Sequence, residues 1–211
     1  RRFAATPRNV PFIVHLGEGT DAAAAQEFGR LDAIGAVGPN TVIVHGVVLG
    51  LPEWTRLASQ GGGLVWCPAS NMFLFGSTAP VRSFLDAAQG TGTTGGRTGP
   101  LPICLGSDSR ITGASDILDE LRAASAAAAV TAPELLEMVT TTPARMLRLS
   151  GAGRLAPGSP ADLIVVPPVH DGPAASLLAS HRRDLRLVVV GGRPAVGAAA
   201  FTPVFSRSEE H

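Results

Sequence analysis

Lysine and tyrosine are absent from this 211-residue chain. All 17 basic side chains are therefore arginines, matched by 17 acidic ones, so the formal net charge is zero. A neutral chain with a pI near 7.2 has no basic footprint for nucleic acid and no acidic tail. Charged residues are also scarce, 16% against 45% hydrophobic, which excludes a solvated disordered polymer. There are two cysteines, Cys67 and Cys104. They are too few for a disulfide scaffold, and the expected location is cytoplasmic. No apolar run reaches the ~20 residues of a membrane-spanning helix. The opening Arg1-Arg2-Phe3-Ala4-Ala5-Thr6 lacks the apolar stretch of a signal peptide. It also lacks an initiator Met, which points to a chain that begins inside a longer protein. A mass of 21.6 kDa suits one domain with at most a small addition, and suffices for a buried core.

What is present is a rhythm. An apolar run ends in a polar residue, a loop follows, then a helix-like stretch. Val10 to Val14 predicts a buried strand ending at His15. Thr20-Asp21 can cap a helix from Ala22 to about Ile34, with Gly35 near its end. Thr41 to Val44 predicts a second strand, ending at His45. Leu51 to Gln60 reads as a helix with Pro52 in its first turn, stopped by Gly61-Gly62-Gly63. Leu64 to Trp66 is the third strand, ending at Cys67-Pro68, and Val81 to Ala88 the next helix. Gly90 to Pro100 is a Gly/Thr loop. Pro102 to Leu105 is the fourth strand, before Gly106-Ser107-Asp108-Ser109. Helices are expected over Ser115 to Ala128 and over Pro133 to Leu149, the latter with a break at Pro143. Continuous apolar strands alternating with helices argue for a parallel sheet covered by helices. Beyond a Gly/Pro-rich boundary near Ser150 to Pro160 the pattern changes. Ala161 to Val166, Leu185 to Val190 and Pro194 to Val196 read as an antiparallel β element without crossover helices, turned at Gly191-Gly192.

The chemistry is positional. The four strands end in His15, in His45, in Cys67 with Asn71 nearby, and in Asp108. Parallel strands end on one side, so these side chains converge where α/β proteins place their sites. Imidazole and carboxylate are ligands for a divalent metal and also acid–base groups. Glu18 follows His15 by three residues, flanked by Gly17 and Gly19, which allow close backbone approach. Each residue has a plainer role available. A strand-end His is usually hydrogen-bonded structure, Asp108 can cap its own turn, and Glu18 can serve a helix N-terminus. Cys67 is a small core residue before it is a nucleophile. His170, His181 and His211 are assigned no role. Gly17-Glu18-Gly19-Thr20-Asp21 places acids where a phosphate-binding fingerprint would seat its ligand, which argues against an open doubly wound domain that binds a small ligand without a metal.

His-Leu-Gly-Glu-Gly at 15–19, Ile-Val-His-Gly at 43–46, Cys-Pro-Ala-Ser-Asn at 67–71 and Gly-Ser-Asp-Ser at 106–109 resemble the second half of the amidohydrolase superfamily. The branch they are most similar to is the cytosine deaminase and chlorohydrolase-like one. Thr141-Thr142-Pro143-Ala144-Arg145-Met146-Leu147, Gly153-Arg154-Leu155, Pro157-Gly158 and Pro160-Ala161-Asp162-Leu163 resemble that branch's C-terminal signature. The resemblance implies an α/β fold. Residues 1–150 would form the C-terminal half of a TIM-type (β/α)8 metal-dependent hydrolase barrel, about four βα units. Residues 151–211 would form the C-terminal part of a small β-sandwich. It further implies that His15 ligates metal and that Glu18 shuttles a proton. His45 would polarise the substrate or join the metal, and Asp108 would bind metal and take the proton of the attacking water. Asn71 and Arg110 would line the substrate pocket.

The implied activity is hydrolysis of non-peptide C–N bonds of a small molecule, as in a deaminase, with one divalent ion: zinc first, iron or manganese as the others. The superfamily's His-x-His pair from barrel strand one does not occur here, and a full barrel needs eight βα units in typically ~250 residues. The expectation is therefore a fragment that binds metal weakly and turns over little alone. Its open half-barrel surfaces would pair it as a homodimer, with no nucleic-acid or membrane partner. The alternative is a non-catalytic truncated remnant serving as a scaffold or partner-binding domain.

Overall fold

The β-branched and aliphatic runs pair side by side in the structure, a computed structural model that describes residues 2–90, 102–169 and 171–206. Strands β1 (Phe12–Leu16), β2 (Thr41–His45), β3 (Gly63–Trp66) and β4 (Ile103–Leu105) form one parallel sheet in chain order. Ile13 stands opposite Val42, Val44 opposite Val65, and Val65 opposite Cys104. A short α1 (Arg2–Ala5) precedes β1. Helix α2 (Ala22–Ala33) connects β1 to β2, α3 (Leu51–Ser59) connects β2 to β3, and α4 (Pro68–Phe75) with α5 (Val81–Gly90) connects β3 to β4. Then come α6 (Ile117–Ala127), α7 (Ala132–Val139) and α8 (Thr141–Met146).

A doubly wound sheet reverses its strand order at a switch point. This sheet has no reversal, and crossovers of one hand then stack every helix on the same face, as in a sector of a barrel. The core follows that geometry. Ile43, Leu64, Trp66 and Ile103 pack on Phe28, Trp54, Leu57, Phe84, Leu121 and Leu135. The two-residue period of a strand sends Val42 and Cys104 to the opposite face, where Met146 of α8 covers them. Ile13, in register with Val42, is 48% exposed on that face.

Side-chain caps set the helix starts. Asp21 accepts from Ala24 N–H at 2.8 Å. Asp116 accepts from Leu118 and Asp119 N–H at 2.9 and 3.0 Å. Thr131 and Glu134 exchange bonds in a capping box.

The C-terminal segment builds a second sheet, β5 (Leu163–Val165), β6 (Leu187–Val190) and β7 (Arg193–Gly197), antiparallel throughout. Gly191 and Gly192 turn β6 into β7 with φ of 57° and 78°. A two-residue hairpin of matching twist requires positive φ at both positions. Helix α9 (Pro173–Ala179) lies between β5 and β6 and packs on α6 and α7, with Leu177 in the main core. Helix α10 (Thr202–Ser206) ends the described chain.

Several elements differ from expectation. Strand β1 starts at Phe12, because Val10 N–H is spent on a turn to the Pro7 carbonyl, and it runs through His15 to Leu16. The helix expected over 133–149 breaks at Thr140 (φ −127°, ψ −91°), not at Pro143, which fits in the first turn of α8, where a proline costs no intrahelical bond. Helix α4 has no counterpart in the sequence pattern: it is short and apolar on several sides, so no helical period announces it. Helix α9 falls where no crossover helix was expected. Of the Gly90 to Pro100 loop, Gly90 closes α5 and residues 91–100 lie outside the described residues, as do His170 and His211. No helix among the described residues is long and apolar enough to cross a membrane.

Candidate metal centre at the strand ends

The C-terminal edge of the parallel sheet collects the titratable side chains. His15 is the penultimate residue of β1, His45 the last of β2, and Asp108 stands three residues past β4. One ligand atom from each lies within 4.8 Å of the others. The rings of His15 and His45 are 5.3 Å apart, centre to centre. His15 and Asp108 are exposed, and His45 is fully buried.

Backbone conformation aims two of the three. His45 has φ of 74° and Asp108 φ of 52°. In regular register His45 would follow its partner Leu16 toward the helix-side core. The left-handed backbone turns the ring to the strand-end pocket instead. Such conformations cost roughly 1–3 kcal/mol for non-glycine residues and cluster at functional sites. Gly17 (φ 65°) and Gly46 (φ 59°) allow the β1 and β2 loops to meet. A Cβ on Gly17 would lie 3.4 Å from Gly46 Cα. Glu27 of α2 pins this loop by accepting from Gly17 N–H at 2.7 Å, and Glu18 Oε1 comes within 3.5 Å of His45 Nε2.

The remaining bonds hold these groups in place. His45 Nδ1 is 2.9 Å from Asn71 Oδ1. With its proton on Nδ1, the ring donates to that oxygen and leaves Nε2 a lone pair. Nε2 is buried and has no hydrogen-bond partner. Ser70 donates to Asp108 Oδ2 at 2.5 Å, and Thr112 donates to the same oxygen at 3.3 Å. Partial burial pushes the Asp108 carboxyl up. Bonds from the Ser70 hydroxyl, the Ser109 N–H and the Thr112 hydroxyl draw it down, and the pKa lies below the ordinary value. Asp108 is thus an anion at neutral pH. Burial, with Glu120 and Asp108 nearby, holds the Cys67 thiol protonated far above neutrality, so it is not a nucleophile.

The structure thus brings Glu18, His15, His45 and Asp108 together. Asn71 is fully buried, and its amide is committed to His45 and to Thr78. Arg110 is exposed in the loop after Asp108. Sequence reasoning missed Ser70, Thr78 and Glu120. The fully buried Glu120 on α6 accepts from Ala69 N–H at 2.9 Å and Ala114 N–H at 3.4 Å. It ties the first turn of α4 to the loop that follows Asp108. A carboxylate sharing a helical face with Ile117, Ala123 and Ala124 was the available signal.

The donor set suits a borderline divalent cation. Two ligands of a tetrahedral zinc ion stand about 3.3 Å apart, roughly 1.6 times a Zn–N bond, so atoms within 4.8 Å of one another have up to about 1.5 Å to close. A buried imidazole nitrogen with an unused lone pair is the atom such an ion would engage.

The chain is similar to known proteins over most of its length. The chain is 33% identical over 205 residues to a 5-methylthioadenosine/S-adenosylhomocysteine deaminase of Natronomonas pharaonis, covering 87% of this chain and 45% of the relative. It is 32% identical over 217 residues to an 8-oxoguanine deaminase of Pseudomonas aeruginosa, covering 92% and 46%. The chain therefore spans about half the length of the curated relatives it matches. In three dimensions it resembles an adenosine deaminase from Xanthomonas campestris with bound zinc. The TM-score is 0.75 at 23% identity, over 89% of this chain and 45% of that one. The family model described as "Amidohydrolase family" matches residues 4–195. A match of that extent, over a barrel sector of the expected order, decides membership: the chain belongs to the amidohydrolase family.

Proposed function

We propose that this chain carries the acid–base groups and part of the metal-binding set of a hydrolase that cleaves a non-peptide C–N bond, with amine-bearing purine compounds as the substrate class. One observation carries the reading: His15, His45 and Asp108 offer donors within 4.8 Å of one another, and one of these donors is a buried imidazole nitrogen that makes no hydrogen bond and stands 3.5 Å from the Glu18 carboxylate. The relatives named for deamination of purine compounds support the substrate class.

His15, His45 and Asp108 would hold the ion. A divalent cation there, zinc first and iron or manganese as alternatives, supplies the Lewis acidity that makes water acidic near neutral pH. Asp108, already ionised, accepts a proton from the attacking water as its oxygen bonds to the amine-bearing carbon. Glu18, beside His45, would pass on to the departing nitrogen the proton that the water gives up. The C–N bond breaks and ammonia leaves. Asn71 holds the His45 ring through Nδ1. Arg110, exposed in the loop after Asp108, would meet the substrate's polar rim. Residues 1–150 supply this chemistry, and residues 151–211 brace its helices through α9.

Calorimetric titration with Zn²⁺ tests the reading. The expected result is one weak, saturable site, lost in His15→Ala and in Asp108→Ala. Equal binding by the wild type and both variants would overturn it. Ammonia release from aminopurine substrates by the zinc-loaded chain, set against the same variants, tests the activity.

A further inference from the structure

Behind the candidate site a largely buried chain of polar groups continues past Asn71 to Thr78 and Trp66, which the proposed reaction does not use. Trp66, fully buried at the end of β3, donates its indole N–H to Thr78 Oγ1 at 2.7 Å. Asn71, fully buried on α4, donates its amide N–H to the same oxygen at 3.0 Å. The other end of the Asn71 amide, Oδ1, stands 2.9 Å from His45 Nδ1. Thr78 is outside any helix or strand. It reaches this position because α4 ends at Gly76 in a left-handed turn, φ 61°, that folds the chain back beneath the helix.

The logic of donors and acceptors runs along this chain. An indole N–H can only donate, so it occupies one lone pair of the Thr78 oxygen. Asn71 NH₂ occupies the other. With its nitrogen committed to Thr78, the amide presents only its carbonyl oxygen to His45. A carbonyl facing a neutral imidazole nitrogen demands that this nitrogen carry the proton. The proton therefore sits on Nδ1, and Nε2 keeps its lone pair directed at the site. Were the amide turned over, NH₂ would face Nδ1, the proton would move to Nε2, and the donor would be lost.

We infer that Thr78 is a positioning residue: it fixes the Asn71 amide and through it the His45 tautomer whose Nε2 lone pair faces Glu18, His15 and Asp108. Its use toward a cation rests on the function proposed above, whereas the tautomer does not. Partners of this kind typically change metal affinity by 10–100-fold when removed, because they set the orientation and basicity of the ligand ring.

The experiment reads the His45 ring nitrogens of the full ¹⁵N-labelled chain by long-range ¹H–¹⁵N correlation at alkaline pH, without metal. The wild type is expected to show a protonated Nδ1 and an unprotonated Nε2. Thr78→Val, nearly isosteric, removes the acceptor and should populate the Nε2–H tautomer. Thr78→Ser restores the hydroxyl and should restore the wild-type pattern. A wild-type ring protonated on Nε2 overturns the inference at once, whether or not Thr78→Val folds. An unchanged ring in folded Thr78→Val overturns it equally. Zinc titration of the same proteins separates the two proposals. Affinity falling about 10-fold in Thr78→Val and recovering in Thr78→Ser supports both. A chain that binds no zinc yet shows the expected tautomer in the wild type and its shift in Thr78→Val removes the metal reading and leaves the positioning role intact.

Discussion

His45 and Asp108 hold left-handed backbone conformations that a β-branched or bulky residue resists. The third non-glycine residue of this kind among those described, Arg148, sits just past the end of α8, where chains commonly reverse. The first two are residue types that enter this region more readily than most, and both lie in the donor cluster. Replacing Asp108 separates the cost of the backbone from the value of the carboxylate. Asp108→Ala and Asp108→Gly both lose the bonds from Ser70 and Thr112, but alanine keeps the left-handed penalty that glycine escapes. Asp108→Gly should be more stable than Asp108→Ala by about 1 kcal/mol in urea melts, while neither binds zinc. Equal stabilities would show that φ of 52° costs nothing here. The two thiols allow a second check at this scale. Burial raises both the Cys67 and the Cys104 thiol, the latter to about 12. Neither should react with a disulfide reagent in the native chain near neutral pH, and both should react once urea unfolds it. Fast labelling of the folded protein would contradict the burial that keeps Cys67 out of the chemistry.

At the scale of elements, the link between α6 and α4 decides how well the site is held. Ser70 and Asn71 are neighbours on α4, yet one grips Asp108 and the other His45. Any shift of α4 therefore displaces both. Glu120 locks that helix by accepting from Ala69 N–H, and Glu120→Ala leaves buried donors without an acceptor. It should cost about 1–3 kcal/mol and weaken zinc binding although Glu120 touches none of the ligands. The same residue predicts a pH dependence. Burial raises its pKa, against the two N–H donors that lower it, with the Asp108 charge adding to the rise. A carboxyl with a raised folded-state pKa favours folding while protonated. That contribution is full below the unfolded value of about 4.3 and is lost as pH climbs through the folded value. The stability of the wild type relative to Glu120→Gln should therefore fall as pH rises from about 4 toward neutrality. A flat difference would mean that Glu120 ionises in the fold without penalty. This element-level lock also shows where the sequence was legible. Strand ends, caps at Asp21 and the order His15, His45, Asp108 depend on local pattern and spacing, and they were readable. Helix α4, the break at Thr140 and the roles of Ser70, Thr78 and Glu120 depend on contacts between segments 12 to 51 residues apart and on dihedrals that no periodicity encodes.

The whole sheet has two unequal edges. At β4, α7 packs on one face of the strand and Met146 of α8 on the other. At the opposite edge β1 hydrogen-bonds only to β2 among the described residues, and Ile13 stands 48% exposed on the face that a closed barrel would bury. Exposed strands with free N–H and C=O groups template pairing with a further chain. Two copies of this one can satisfy the demand by setting β1 against β1 about a twofold axis, an isologous contact in which each Ile13 shelters the other. The expected solution state of the isolated chain is therefore a homodimer through its half-barrel surfaces. Ile13→Arg places like charges across that axis and opposes the contact without entering the helix-side core. Sedimentation velocity across a concentration series checks this. The wild type should shift toward the dimer with increasing concentration, and Ile13→Arg should remain at the monomer mass. A wild type that sediments as a monodisperse monomer at every concentration would mean that the β1 edge is held by its own N-terminal segment. The half-barrel surfaces would then have no need of a second chain.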